Sequence, residues 1–294
     1  FKKNTLAYDL LEYYEIPSRM LPRVTPVFGM QGKLSADAAH ELGLVAGIPI
    51  TYRAGDQPNN ALSLNVLKPG EVAASGGTSG VVYAVTATPV SDPLLRVNSF
   101  AHVNYTPENP LTGVLLCING AGSAYRWARQ AFGKDATYHE LEILAATVDI
   151  GSEGLIMLPF GNGAERMLNN QNPGASFSGL QFNRHEARHF YRAALEGIAF
   201  SFMEGLDIMR EMGIRIDLLR VGNDNLFQSG IFSRTIATLS GAKIEVTSTT
   251  GAAGAAKAAG VFVGLYETAE EAMGQDAVLQ QYLPDNDSDA YHRA

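Results

Sequence analysis

A glycine-rich segment, residues 75–80, separates two apolar runs of β-prone residues at 72–74 and 81–85. Small and hydroxyl residues between two such runs predict a β-hairpin with a short turn. A turn with little side-chain bulk can direct several backbone N–H groups and two hydroxyls at one anion, and phosphate is the usual guest. An ordinary hairpin with a glycine-rich turn is the alternative, and the turn by itself favours that alternative.

The composition is that of a globular protein, with 46% hydrophobic and 18% charged residues in a chain of 294. This length suits one large α/β domain or two domains, and no apolar run approaches the ~20 residues that a membrane span needs. The net charge of −8 argues against nucleic acid and anionic membranes as partners. The single cysteine, Cys117, lies in an apolar run, so we expect a buried thiol and a cytoplasmic protein.

Strand-like runs alternate with glycine-containing loops and helical patterns, which predicts an α/β fold. The expected strands of this part of the chain are 72–77, 80–86, 112–118, 154–159, 217–221 and 243–247. Several of them end in polar, glycine-containing loops. Ligand sites of α/β proteins lie at strand ends of this kind.

The longest predicted helix extends from about residue 185 to residue 212, with an apolar stripe along it. Beside the stripe stand four small residues spaced four apart, Ala193, Gly197, Ser201 and Gly205, which predict close contact with another backbone. Residues 251–264 form a second predicted helix, rich in alanine and expected to be buried.

Asp56 follows Gly55 and a short predicted strand at 48–53, and Pro58 allows a helix to start just after it. A carboxylate at that position can accept a proton from a substrate hydroxyl. An ordinary N-cap aspartate is an equally good interpretation of the local sequence.

Residues 185–189 read His-Glu-Ala-Arg-His, the pattern that holds zinc on a helix in metallopeptidases. No third ligand stands at a standard spacing, so the polar first turns of the long helix are the preferred interpretation. For Glu165 and Arg166 we expect an exposed, solvated pair. The polar segment 222–225 can either read a nucleoside or form a tight turn.

Several of these segments together resemble the FGGY family of carbohydrate kinases. Residues 175–180 read Ala-Ser-Phe-Ser-Gly-Leu and, after eight residues, 189–196 read His-Phe-Tyr-Arg-Ala-Ala-Leu-Glu, which is similar to the second signature of that family. His189 fills a polar position of this signature. The other similar segments, in family order, are Gly55-Asp56, the turn at 77–80, residues 158–166 and the helix at 251–264.

The resemblance implies an actin-like, ribonuclease-H-like α/β fold with two lobes that close on MgATP and a sugar. Asp56 matches the catalytic base, and Gln57 stands beside it on the sugar side. No residue of the chain is assigned to a metal. The expected nucleotide contacts are Gly77, Thr78 and Ser79 at the phosphates, Gly120 and Gly122 in a further loop, and Gly222 and Asn225 in the adenosine-binding stretch.

The resemblance also implies domain limits and a substrate. Residues 1–66 are expected to be the tail of a mostly missing N-terminal sugar-binding lobe, and 67–294 the C-terminal nucleotide-binding lobe, so the fragment itself should be inactive. Residues 77–97 are most similar to family members that phosphorylate D-xylulose. Gln57 departs from the common pattern, so glycerol, ribulose and gluconate remain open as substrates, and the segment 222–229 departs from the usual run of glycines, which leaves its nucleotide contacts open. A non-catalytic nucleotide-binding lobe is a further alternative, and a homodimer is a possible assembly.

Overall fold

The computed structural model describes residues 5–293. The strands are β1 (Phe28–Lys33), β2 (Pro49–Tyr52), β3 (Glu71–Gly76), β4 (Gly80–Thr86), β5 (Asn98–Ala101), β6 (Thr112–Ile118), β7 (Ile156–Phe160), β8 (Gly174–Ser178), β9 (Leu218–Gly222), β10 (Lys243–Thr247) and β11 (Val278–Tyr282). The α-helices are α1 (Tyr8–Tyr13), α2 (Ala36–Leu42), α3 (Asp56–Ser63), α4 (Ala121–Phe132), α5 (Tyr138–Ala145), α6 (Ala187–Glu211), α7 (Gly230–Ser240), α8 (Gly251–Phe262), α9 (Ala269–Met273) and α10 (Ser288–Arg293).

Seven strands form one mixed sheet in the order β11-β10-β9-β3-β4-β6-β5. Strand β9 pairs in parallel with both β3 and β10, whereas β4 is antiparallel to β3 and to β6. Strands β3, β6, β9 and β10 therefore all run in the same direction. The predicted strands are confirmed to within two residues, and β7 starts late because a 3-10 turn occupies Ser152–Gly154.

Alternate residues of the central strands enter two different cores, as the period of a β-strand requires. Val72, Val82 and Leu116 face the large core under α4, α6 and α7. Their neighbours Ala73 and Tyr83 face a smaller core that α3 covers. The sheet is thus the middle layer of three.

Helix α6 crosses the sheet along the predicted row of small residues. A Cβ atom on Gly197 would overlap the carbonyl oxygen of Met157 in β7, and one on Gly205 would contact Leu116 of β6 at 2.9 Å. The prediction that another backbone packs closely on this row is confirmed. The helix begins at Ala187, two residues later than expected, and Gly254 allows α8 to approach Ser63 of α3 equally closely.

The β1–β2 ribbon packs on α8, next to a third apolar cluster that includes Leu62, Ala258 and Met273. Helix α8 ends at Phe262, and only Gly254, Ala258 and Gly260 of its twelve residues are buried, so the expectation of a buried helix is wrong. Between residues 5 and 293, no helix has both the length and the apolar composition needed to cross a membrane.

Candidate active site

Four strands that run in the same direction, β3, β6, β9 and β10, end at one edge of the sheet. The segments that follow them are 77–79, 119–122, 223–225 and 248–250. Loops at such an edge converge, which is why ligands of open α/β sheets bind there. The sequence-predicted nucleotide residues therefore lie along a common edge, although they come from distant parts of the chain.

The turn at 77–79 connects β3 to β4, and the predicted hairpin is confirmed by the pairing of Gly76 with Gly80. The carbonyl groups of Gly77 and Thr78 accept hydrogen bonds from the N–H groups of Gly122 (2.9 Å) and Ser123 (3.2 Å) of α4. Within residues 5–293, the amide groups of Thr78 and Ser79 and both hydroxyls make no hydrogen bond, and both residues are exposed. These four donors are free to bind an anion.

The next loop braces this turn, and its two glycines have a packing role. A Cβ atom on Gly122 would overlap the carbonyl oxygen of Gly77, and one on Gly120 would overlap the carbonyl oxygen of Pro159. Backbone atoms cannot move aside cheaply, so both positions need glycine to keep the loops in contact. The N–H groups of Gly122 and Ser123, at the start of α4, are therefore used in hydrogen bonds to the turn.

A cavity of about 460 Å³ opens beside the turn, between α4, α5 and the 3-10 helix Asn225–Gln228. Of the predicted nucleotide residues, Gly77, Thr78, Gly122 and Asn225 line it, and Ser79, Gly120 and Gly222 do not. Gly76, Leu226, Gln228 and Ser229 also line it and belong to the predicted segments 75–80 and 222–229. The lining residues that sequence reasoning missed are Tyr125, Arg126, Tyr138, His139 and Glu142. They lie on α4 and α5, for which the sequence offered no motif.

Aromatic and fixed polar groups form the wall of this cavity. Tyr125 and Tyr138 stack with their centroids 5.5 Å apart, and burial raises the pKa of Tyr125, so its phenol is neutral. The Tyr125 hydroxyl is buried and has no partner among the described residues. Glu142 accepts hydrogen bonds from the Ser229 hydroxyl (2.6 Å) and the Ile231 N–H (2.9 Å), which fixes the start of α7 against this wall.

Asp56 is the first residue of α3 and is exposed. Gly55 occupies the N-cap position, so the alternative of a simple N-cap aspartate is wrong; the Asp56 carboxylate accepts a hydrogen bond from the N–H of Gln57 at 2.8 Å. Asn59 donates to the carbonyl oxygen of Gly251 at 2.9 Å, which brings the starts of α3 and α8 together. Two helix N-termini thus face the surroundings of Asp56 with their positive ends.

Cys117 lies near the end of β6, and the charge of Asp56 acts on its thiol. The thiol is exposed, which corrects the expectation of a buried cysteine. By strand alternation, its side chain lies on the α3 face of the sheet, the face of Leu115. Partial desolvation raises the pKa of the thiol, the Arg166 charge lowers it, and the charges of Asp56 and Glu165 raise it. Asp56 therefore lies close to the end of β6.

Glu165 is fully buried, so the expected solvated pair with Arg166 is wrong. Both its carboxylate oxygens accept from the N–H of Asn119, at 3.0 and 3.2 Å. Burial raises the pKa of Glu165, and the hydrogen bond from Asn119 partly opposes that shift. Arg166 turns away and donates to the carbonyl oxygen of Leu95 and to Asn98. Glu165 is a brace for the loop that in turn holds residues 77–79.

The His-Glu-Ala-Arg-His segment does not form a metal site. The Nδ1 atoms of His185 and His189 accept hydrogen bonds from backbone N–H groups at 2.9 Å, so each neutral ring carries its proton on Nε2. Those Nε2 atoms face the carbonyl oxygen of Glu153 at 3.3 Å and its carboxylate at 3.6 Å. The Nδ1 lone pairs are therefore occupied, and residues 5–293 contain no cluster of three or more metal-ligating side chains.

The sheet order and the loops at its edge are those of the sugar kinases, which have an actin-like ATPase fold. The predicted fold class is confirmed. The structure of a xylulose kinase from Rhodospirillum rubrum matches with a TM-score of 0.85 at 25% identity, over 100% of this chain and 59% of that one. The sequence matches the model of the FGGY family of carbohydrate kinases, C-terminal domain, over residues 72–262. The chain belongs to the FGGY family of carbohydrate kinases.

Two curated relatives illustrate the range of substrates in the family. A xylulose kinase of Lactococcus lactis is 29% identical over 211 residues, which are 71% of this chain and 41% of that protein. A glycerol kinase of Solidesulfovibrio magneticus is 30% identical over 281 residues, which are 92% of this chain and 54% of that protein. The chain thus spans about half the length of the curated relatives that it matches.

Proposed function

We propose that this chain is the nucleotide-binding portion of an ATP-dependent carbohydrate kinase, with the ATP phosphates on the turn at residues 77–79. The observation that carries the proposal is the set of free donors on Thr78 and Ser79, in a turn whose carbonyl groups are already bonded to α4. Such preorganised donors stabilise the charge of a transferring phosphoryl group. The base and ribose are assigned to the cavity lined by Tyr125, Tyr138 and Asn225.

Asp56 is the proposed general base. Its carboxylate is exposed and close to the end of β6, so a substrate hydroxyl can reach it from the open side. The proton passes to Asp56 as the substrate oxygen attacks the γ-phosphorus, and ADP carries away the electrons of the broken P–O bond. Gln57 stands beside Asp56 as a proposed sugar contact.

Mg²⁺ is expected to arrive with the nucleotide, where it neutralises phosphate charge. The chain's own part is to position the phosphates and the base.

D-xylulose is the proposed substrate, converted to D-xylulose 5-phosphate, with 1–66 proposed as the tail of the sugar-binding lobe. Support comes from the xylulose kinases among the relatives and from the pattern of residues 77–97. Glycerol is the second candidate, because a glycerol kinase is similar over 92% of the chain and Gln57 follows Asp56.

The test is phosphoryl transfer by the full-length protein to D-xylulose, D-ribulose, D-gluconate and glycerol, with ADP release as the readout. We expect the highest kcat/KM with D-xylulose and a loss of about 10³-fold or more in kcat for Asp56→Ala, since a general base contributes ~10²–10⁴-fold. Asp37→Ala, at a first-turn aspartate of α2, is the matched control and should keep full activity.

Each contrary result removes a separate part of the proposal. Undiminished turnover by Asp56→Ala would remove Asp56 as the base, and a preference for another acceptor would replace the substrate. ATP binding without turnover on any acceptor would make the chain a nucleotide-binding regulatory lobe.

A further inference from the structure

A second cavity, of about 330 Å³, lies on the opposite flank of α4 from the proposed nucleotide cavity. It is enclosed by the first turns of α4, the β7–β8 hairpin and residues 161–162. Its volume falls within the range of ligand sites in proteins. No step of the proposed phosphoryl transfer uses it.

The walls of this cavity combine aromatic surface with uncharged polar groups. Trp127 and Phe177 stack at 6.1 Å between centroids, and Phe177 is held in turn by Phe190 at 5.0 Å. Trp127 is half exposed, so one part of the indole surface remains uncovered. The cavity lining contains no charged side chain. A phosphate or a nucleotide would therefore find no counter-charge in this wall.

Two polar side chains of the lining keep hydrogen-bonding capacity after folding. The Asn162 Nδ2 group donates to the Ser123 hydroxyl oxygen and to the carbonyl oxygen of Asn119, both at 2.9 Å. These bonds leave the Asn162 Oδ1 atom as a free acceptor and the Ser123 hydroxyl hydrogen as a free donor. A ligand hydroxyl, which both donates and accepts, is the group that satisfies this pair.

We propose that this cavity, lined by Trp127, Phe177, Ser123 and Asn162, binds an uncharged sugar in its ring form at a site separate from the acceptor site. An apolar C–H face of a sugar ring packs on an aromatic surface, while its hydroxyls meet the amide and the serine. Asp56 lies on the other side of the sheet, because α3 covers the core of Ala73 and Tyr83 whereas α4 packs with Val82 and Leu116. The cavity is therefore not the place where the proposed base works.

The tryptophan makes the site directly observable. Trp127 is the single tryptophan of the 294-residue chain, so its indole fluorescence reports on the surroundings of this one side chain, which lines the cavity. D-glucose and D-xylose are the ring-forming probes, and glycerol is the probe that has hydroxyls and no ring. We expect a saturable change in emission with both sugars, with Kd values of about 1–10 mM, and no saturable change with glycerol.

Matched variants separate binding at this cavity from effects elsewhere. Ser123→Ala should weaken D-glucose about threefold to tenfold, since one hydrogen bond is lost. Asp56→Asn should leave the titration unchanged. Trp127→Phe, followed by equilibrium dialysis of labelled D-glucose, should weaken binding about tenfold, whereas Phe182→Ala, at an aromatic side chain 95% exposed and outside the cavity, should not.

Three results would contradict the proposed sugar site. No saturable change up to about 100 mM sugar would overturn the proposal, because a built site binds more tightly than that. A change that Asp56→Asn abolishes would assign the sugar to the acceptor site, and equal responses to glycerol and D-glucose would show nonspecific solvation of the indole. ATP titrations of the same samples test the proposed kinase function independently.

Discussion

Two short motifs of this chain suggest a ligand: the turn at 77–80 suggests phosphate, and the segment 185–189 suggests zinc. Their polar atoms end up in opposite situations in the folded protein. The turn uses its carbonyl groups to bond with α4 and leaves the amides and hydroxyls of Thr78 and Ser79 free. The two histidines accept backbone N–H groups at Nδ1 and are buried, with Nε2 3.3 Å from the carbonyl oxygen of Glu153 in His185 and 3.6 Å from its carboxylate in His189. The free donors of the turn are exposed and can reach a ligand, whereas the imidazoles are packed against Glu153. The first motif is therefore a candidate binding site and the second is a structural tie.

Substitution of the glycines that hold the turn against α4 should give a large loss of stability at neutral pH. Gly122→Ala and Gly120→Ala each place a methyl group against a carbonyl oxygen, so we expect each to lower the free energy of unfolding by about 2–3 kcal/mol. Gly32→Ala is the control, since a Cβ atom there meets nothing within 4 Å. Denaturant titrations measure the difference. Equal stability of all three variants would show that the turn is not braced by this contact.

His102 extends the comparison to an imidazole whose two nitrogens are both used, by the Tyr83 hydroxyl and the Val66 carbonyl oxygen at 3.0 Å each. Burial lowers the pKa of His102 from 6.5 to about 4, against the raising effect of the bond to Val66. Above pH 6.5 the ring is neutral in the folded and the unfolded chain. As the pH falls from 6.5 to 4, only the unfolded chain takes up the proton, so stability falls by about 3 kcal/mol.

The measurement is the free energy of unfolding at several pH values between 7 and 4, for the natural chain and for His102→Gln. The variant keeps a group that can donate to Val66 but cannot take up the proton. We expect its stability to fall less steeply over this interval. The same slope in both proteins would mean that His102 does not carry the pH dependence.

The histidines at 185 and 189 should give a smaller effect that does not depend on metal. His189→Gln removes one buried acceptor for the N–H of Glu186, so we expect a loss of about 1–2 kcal/mol in the free energy of unfolding. Chelators should leave the thermal midpoint of the natural chain unchanged. One zinc per chain after purification, lost in His189→Gln, would reverse the assignment of this segment as a structural tie.

Much of the fold follows from the sequence, because strand periodicity, glycine loops and the small-residue row of α6 act locally. Whether a polar side chain is buried, and which group it pairs with, does not follow from the local sequence. Glu165 looks like a surface charge in its neighbourhood and becomes buried only because β6 brings Asn119 to it across 46 positions of the chain. Cys117 lies in an apolar run that predicts burial, yet its side chain is exposed near the end of β6. Such outcomes depend on contacts between distant segments.

Only the part of the candidate site that lies in loops was predictable from the sequence. Gly77, Thr78, Gly122 and Asn225 belong to motif-like loops, and all of them line one cavity. Tyr125 and Glu142 line it too, but they stand on amphipathic helices where an inward-facing residue is indistinguishable from a core residue. Only the packing of α4 against α5 separates the two cases.

The most direct test of the account is the affinity for MgATP of a chain with Thr78→Ala and Ser79→Ala combined, measured by calorimetry together with its thermal midpoint. Both hydroxyls are exposed and make no hydrogen bond within the described chain, so we expect the affinity to fall about 10–100-fold while the midpoint stays unchanged. Ser178→Ala, at another exposed serine whose hydroxyl makes no described hydrogen bond, is the control and should bind normally. Unchanged affinity, or a midpoint that falls together with the affinity, would contradict the claim that this turn is a phosphate site.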